Sequence, residues 1–188
     1  MKISLVIGSA VLLAAMLSGQ NTSRSNTAGA VSSADESFVI KAAHGGMEEV
    51  EMGKMAAQKA TDPRVRQFGQ RMVDDHSRAN DELMAIARQK GIEAGSMSST
   101  DSNSRGTTAS ANTGSDSKMQ KMSGMSGAQF DRAYMRDMVS DHENDVAEFE
   151  QASRTVKDAD LKAFIDKTLP TLREHLSEAR NINQSLGR

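Results

Sequence analysis

Apolar residues recur through the chain at the three- and four-residue spacing typical of amphipathic helices, not in the alternation typical of strands. This spacing predicts helices over about 34–60, from Pro63 to about Lys90, over about 128–156, and from the Lys157-Asp158 turn to about Leu186. The first and last pairs are separated by very short turns, and Asp62-Pro63 has the chemistry of a helix start. The pattern therefore predicts two antiparallel helical hairpins, 34–91 and 128–186.

The segment between the two predicted hairpins, 92–127, differs from them in composition. It is rich in Ser, Thr, Gly and Met, and no Ile, Leu, Val or Phe occurs between Ala94 and Gln129. Such a composition predicts a flexible linker. Two hairpins joined in this way predict an all-α, ferritin-like four-helix bundle with a long flexible crossover. Pro170 lies inside the fourth helix, where we expect a kink or a local break.

The N-terminal residues predict export. Met1 and Lys2 precede an almost continuous apolar run that ends at Leu17, which is too short to span a membrane but typical of a signal peptide. Cleavage is expected near residue 20, although small residues at 28–30 offer a second suitable position. Residues 21–33 are then a disordered segment. No later run reaches spanning length, so we expect a soluble protein in the periplasm or outside the cell.

Composition excludes several classes of function. The chain of 188 residues has no Cys, so disulfides and thiolate metal sites are excluded. Its 23 basic and 25 acidic residues are interspersed, which leaves no basic stripe for nucleic acid. P-loop, dinucleotide-binding, nucleophile-elbow and zinc-protease motifs are absent, so the sequence favours a protein that is not an enzyme.

The 4 histidines are distributed one to each predicted helix, as His44, His76, His142 and His175. The last three lie roughly 21–26 Å along their helices from the turns, which places them near the middle of the bundle. His44 lies one position off the apolar stripe, whereas Glu49 lies on the stripe of the first helix. We therefore expect Glu49 and the last three histidines to converge in the interior.

Two interpretations of this convergence stay open, because a buried charge or unpaired imidazole costs several kcal/mol unless it is paired or coordinated. The four side chains are of the kind that binds Zn, Fe, Mn or Cu. Alternatively, they form a hydrogen-bonded layer that only fixes the register of the helices. Val73 and Leu172 replace the Glu of the di-iron Glu-x-x-His pattern, which disfavours ferroxidase chemistry. Neighbouring acids that could orient the rings are Asp75, Asp141, Asp145 and Glu174.

Methionine is abundant, with 13 residues, and it recurs at every third position of the linker as Met119, Met122 and Met125. Thioethers favour Cu(I), so this spacing predicts a soft-metal site. The alternative is a polar linker that contacts the bundle through a few apolar side chains. On the predicted helices, Met52 and Met72 fall on core stripes and fill irregular gaps there.

Several separated motifs occur in a characteristic order along the chain. They are Phe38-Val39, Glu49 to Ala56, Met72 to Ser77, Phe130-Asp131, Asp141-His142, Phe149-Glu150 and Leu169-Pro170. In this order they resemble an exported bacterial group, domain-of-unknown-function family 4142. The resemblance covers about residues 35–186 and implies a ferritin-like bundle and export, but no established activity. We therefore expect an exported bundle that binds metal in envelope stress or metal handling, or a structural or interaction bundle of the cell envelope. The partner and any homo-oligomer are left open.

Overall fold

A computed structural model describes residues 31–94 and 117–187, and every regular element among them is a helix. The predicted all-α bundle is confirmed. The predicted signal peptide and most of the predicted linker lie outside the described residues. The helices within these ranges are α1 (Ser33–Lys59), α2 (Pro63–Lys90), α3, of which residues 117–123 are described, α4 (Gly127–Thr155) and α5 (Ala159–Leu186).

Local capping explains why the long helices begin and end where they do. The Asp62 side chain accepts a hydrogen bond from the Arg64 backbone N–H at 2.8 Å, and Asp158 caps α5 in the same way. At the end of α2, Gly91 has a φ of 70°, which favours glycine. The backbone N–H of Ile92 then donates to the carbonyl of Ala87 at 2.9 Å, which closes a Schellman motif.

Contacts at the two ends of the bundle fix the direction of the helices. The backbone N–H groups of Thr61 and Asp62 donate to the carboxylate of Asp131, at the start of α4, at 3.1 and 2.8 Å. At the opposite end, Lys90 Nζ lies 2.7 Å from Oδ2 of Asp158 and 2.7 Å from Oδ2 of Asp160. Since α2 and α4 therefore run in the same direction, the chain must cross the length of the bundle between them.

A layer of buried polar side chains divides the core into two apolar clusters. We call them the methionine half and the leucine half, and they lie at opposite ends of the bundle. The methionine half consists of Met52, Ala56, Ala60, Val65, Phe68, Met72, Met122, Phe130, Tyr134, Met135, Met138, Ala179 and Ile182. The leucine half consists of Phe38, Val39, Ala43, Leu83, Ala87, Ile92, Ala94, Phe149, Ala152, Val156, Leu161, Phe164, Ile165, Leu169 and Leu172.

The described ends of the predicted linker are more ordered than the sequence indicates. Ile92 packs in the leucine half, and residues 117–123 form α3. Met122 is only 2% exposed, and Lys59 Nζ donates to its carbonyl oxygen at 3.2 Å. Tertiary contacts therefore stabilise the two described ends of the predicted linker, and its flexibility over the remaining residues stays a prediction.

The break expected in α5 does not occur, and the helix runs through Pro170 without interruption. Proline removes the hydrogen bond to the carbonyl of Asp166. Both residues are exposed, so water can satisfy that carbonyl without a break in the helix.

Candidate functional site

Three histidine rings meet in the polar layer between the two halves of the core. His76, His142 and His175 are 6%, 0% and 1% exposed. Their ring centroids are 5.3–5.6 Å apart, and one nitrogen from each ring lies within 4.8 Å of the other two. Three separate helices therefore bring together the three histidines that the sequence places at one height.

The outward nitrogen of each ring has an oxygen partner. His76 Nδ1 lies 2.9 Å from Glu49 Oε2, and His142 Nδ1 lies 3.0 Å from the backbone carbonyl of Met138. His175 Nε2 lies 2.8 Å from Asp75 Oδ2. Such contacts fix the orientation of an imidazole ring and decide which of its nitrogens carries hydrogen.

The inward nitrogens of His142 and His175 face each other as two acceptors. A backbone carbonyl only accepts, so His142 must donate from Nδ1 and keeps a lone pair on Nε2. The carboxylate of Asp75 likewise accepts a hydrogen bond from His175 Nε2, which leaves a lone pair on His175 Nδ1. His142 Nε2 and His175 Nδ1 are nevertheless 3.3 Å apart, and His76 Nε2 has no partner among the described residues. Neutral rings leave these lone pairs unsatisfied, so the arrangement calls for a cation.

Burial makes a proton a poor choice for that cation. Removal from water lowers the pKa of His76 and of His142 below the usual range of histidine. It lowers the pKa of His175 to about 3, although the hydrogen bond that His175 donates to Asp75 acts to raise that pKa. At neutral pH the three imidazoles are therefore uncharged, which is the form that binds metal ions.

Two buried acids adjoin the histidines on one side. Burial raises the pKa of Glu49, and burial together with the charge of Glu49 raises the pKa of Asp145. Glu49 Oε1 accepts no hydrogen bond from an N–H or hydroxyl group within the described part of the chain, although His142 Nδ1 lies 3.4 Å away, and the protonated carboxyl group of Asp145 donates to Glu49. Glu49, expected from the sequence to be a ligand, therefore holds His76 in place through its other oxygen.

The acids next to the histidines in sequence play different parts from those expected. Asp75 orients His175 on another helix, not its own neighbour His76. Asp141 instead binds Lys118 Nζ at 2.9 Å, and Glu174 binds Arg71 at 2.9 Å. These two acids thus pair with basic side chains in the described part of the chain, since adjacent residues point in directions about 100° apart on a helix.

The sequence gives little sign of the partners that these rings have. The carbonyl of Met138 is a backbone group, so no residue type marks it. The one-turn spacing of Met138 and His142 is the one available signal, because it places that carbonyl within reach of the ring. The contact of Asp75 with His175 depends on how two helices pack and has no such signal.

Cavities reach the cluster from two sides. One, of about 280 Å³, is bordered by Glu49, His76 and Asp145, and another of about 280 Å³ lies between α2 and α5 and touches His76 and His175. His44 is half-buried in the wall of the first cavity and lies outside the cluster. The site is thus open to small ligands from solvent.

The three methionines of the predicted soft-metal site have a packing role in the structure. Met122 belongs to the methionine half, and Met119 and Met125 are partly buried against it. A Cu(I) site formed by the three sulfur atoms stays a prediction.

Comparison with known proteins identifies the family. The model of a domain of unknown function, DUF4142, matches residues 20–182. The chain belongs to the DUF4142 family. No curated protein matches its sequence.

A solved structure shares the fold of this DUF4142 protein. It is the crystal structure of a DUF305 protein from Streptomyces coelicolor, described there as secreted, with a TM-score of 0.65 and 12% identity. The match covers 80% of this chain and 91% of that chain. At this identity the likeness shows the fold alone. No helix in the described ranges, 31–94 and 117–187, has the length and apolar character needed to cross a membrane.

Proposed function

We propose that this DUF4142 protein binds one divalent transition-metal ion through His76 Nε2, His142 Nε2 and His175 Nδ1. The observation that carries the proposal is the 3.3 Å approach of two imidazole acceptors in a buried layer. A metal ion between them satisfies both lone pairs and that of His76 Nε2. Imidazole ligands suit Zn²⁺ and Cu²⁺, and three protein ligands leave a further coordination position open.

The partners behind the rings support the same proposal. Metal-binding histidines usually donate their other ring N–H to a carboxylate or a backbone carbonyl. Glu49, the carbonyl of Met138 and Asp75 occupy these positions here. The three rings are thus already oriented for a ligand, which reduces the entropy lost on binding.

The place of action that we propose is outside the cytoplasm. The N-terminal pattern of Met1, Lys2 and an apolar run supports export. The DUF305 neighbour, described as secreted, supports it as well. The protein then buffers or carries a metal ion in the cell envelope or beyond it.

Zn²⁺ titration by calorimetry tests the proposal. We expect the metal-free wild type to bind one Zn²⁺, and His142→Gln and His175→Gln each to weaken binding by about 100-fold or more, since even an outer partner is worth 10–100-fold. His44→Gln is the matched control, because His44 lines the neighbouring cavity but lies outside the cluster. We expect it to bind Zn²⁺ like the wild type.

The alternative is a hydrogen-bonded layer that only fixes the register of the helices, which the position of the layer between two apolar clusters also suits. In that case the wild type binds no Zn²⁺. The two substitutions then change only the free energy of unfolding, by about 1–3 kcal/mol for an orphaned polar partner. Equal weakening by His44→Gln would likewise reject the three-histidine site.

A further inference from the structure

The cavity on the Glu49 side of the histidines has a mixed polar and apolar wall. Its volume is about 280 Å³, and all four long helices contribute residues to it. Leu83, Phe149 and Phe164 form its apolar side, and Glu49 and Asp145 form its border with the polar layer. A cavity of this kind, with a few convergent polar groups, is typical of ligand sites.

One buried oxygen at this cavity is left unused by the three-histidine site. Glu49 is 6% exposed, and its Oε2 contacts His76, whereas its Oε1 accepts no hydrogen bond from an N–H or hydroxyl group among the described residues. His142 Nδ1 is near, but its hydrogen goes to the carbonyl of Met138. The carboxyl group of Asp145 can donate to Glu49 only while Asp145 is protonated, so once both acids are ionised Oε1 is a buried acceptor without a donor.

Asp145 brings a second carboxyl group to the same place. An oxygen of Asp145 lies within 4.8 Å of both a Glu49 oxygen and a His142 nitrogen, and Asp145 is itself half-buried. Two carboxylates this close repel each other unless a proton or another cation lies between them. A divalent cation that displaces the proton shared by the two acids removes the repulsion and coordinates Glu49 Oε1.

We propose that Glu49 and Asp145 bind a second divalent cation from the cavity, one of the oxygen-preferring class of Mn²⁺, Mg²⁺ and Ca²⁺. Carboxylate, amide and water oxygens are the ligands of these ions. Asn80 and Thr168 line the same cavity and add an amide and a hydroxyl to its wall. Asn80 fits there because the facing residue of α1 is Gly46. Any other residue at position 46 would place its Cβ 2.3 Å from Asn80 Oδ1.

The surroundings favour a cation over an anion. Lys41 also lines the cavity, but it is paired with Glu148, so its charge is offset and the two proposed ligands add further acidic groups to the wall. Excess negative charge in a cleft raises the local concentration of cations. This site goes beyond the proposed function and stands without it, because it uses oxygen atoms that the three histidines do not need.

Mn²⁺ titration followed by electron paramagnetic resonance tests the second site in the full chain with Zn²⁺ already bound. We expect the wild type to bind one Mn²⁺ and Asp145→Asn to weaken that binding about tenfold or more. Zn²⁺ affinity, measured in parallel, should be unchanged in Asp145→Asn and reports that the variant is folded. Glu148→Gln removes the same charge from the same cavity, and we expect less than a fivefold effect because only a screened charge is lost.

Three outcomes would overturn the inference. Equal weakening by Glu148→Gln and Asp145→Asn means that the cation responds only to overall charge. Mn²⁺ binding that is lost in His175→Gln but retained in Asp145→Asn means that Mn²⁺ occupies the histidines. A wild type that binds Zn²⁺ but no Mn²⁺ removes the second site and leaves the proposed function intact.

Discussion

The methionine half and the leucine half of the core are built on the same four helices but are packed with different chemistry. The methionine half has five buried methionines, whereas the leucine half has none within the described residues and relies on branched aliphatic and Phe side chains. Methionine is unbranched and fills irregular gaps, while leucine has few well-defined rotamers. The comparison indicates that the side chains of the methionine half can adjust their packing, whereas those of the leucine half have few alternative arrangements.

The irregular parts of the bundle lie in the methionine half. Met122 of α3 inserts there, and the backbones of α1 and α2 approach each other closely at Gly53 and Gly69. A Cβ added to Gly53 would lie 2.7 Å from the carbonyl oxygen of Gly69. Flexible side chains around these features accommodate shapes that a leucine core would fit less well.

The largest effect that separates the halves is expected from truncation of a buried Phe in each. Phe164 is 2% exposed in the leucine half, and Phe130 is 0% exposed in the methionine half. We expect Phe164→Ala to lower the free energy of unfolding by about 3–5 kcal/mol, and Phe130→Ala by about 1 kcal/mol less, because flexible neighbours collapse into the space. Urea unfolding of the metal-free protein measures both values. Equal losses, or a larger loss for Phe130→Ala, would contradict the contrast between the halves.

The fold could be predicted from sequence because its signals are local. Asp62, Asp158 and Gly91 end and begin helices through contacts with their own neighbours. The height of the histidines follows from the constant rise of a helix, so their meeting could be predicted as well. Helical periodicity also predicts which stripe of each helix is buried.

The remaining features depend on tertiary contacts. The described part of α3, residues 117–123, is fixed to the bundle by the insertion of Met122 and by the Lys59 contact, which no local pattern indicates. That Asp75 reaches His175, and that Glu49 turns one oxygen to His76, are decided by side-chain torsions across two helices. No spacing along one helix contains that information.

An intermediate effect is expected at the close approach of α1 and α2. Gly53→Ala forces the helices of the methionine half apart, and we expect a loss of about 1–3 kcal/mol in the free energy of unfolding. Gly45→Ala is the matched control in the same helix, since nothing lies within 4 Å of its added Cβ. The control should gain about 0.5–1 kcal/mol, because Ala is the better helix former. Both are measured by urea unfolding, and a Gly53→Ala variant as stable as wild type would show that the methionine half yields even to backbone displacement.

The smallest effect is expected when Met119, Met122 and Met125 are all replaced by Leu. Leu keeps most of the apolar volume and removes the sulfur, so we expect each replacement to cost less than about 1.5 kcal/mol in the free energy of unfolding. A larger loss would mean that the fit of Met122, at 2% exposure, is as exacting as that of any leucine in the other half. Titration of the same variant with Cu(I) under reducing conditions tests the soft-metal prediction, which requires weaker binding than in the wild type because thioethers favour Cu(I). Unchanged Cu(I) affinity would assign these three methionines to packing alone, since the change removes every sulfur of the predicted site while the apolar contacts remain.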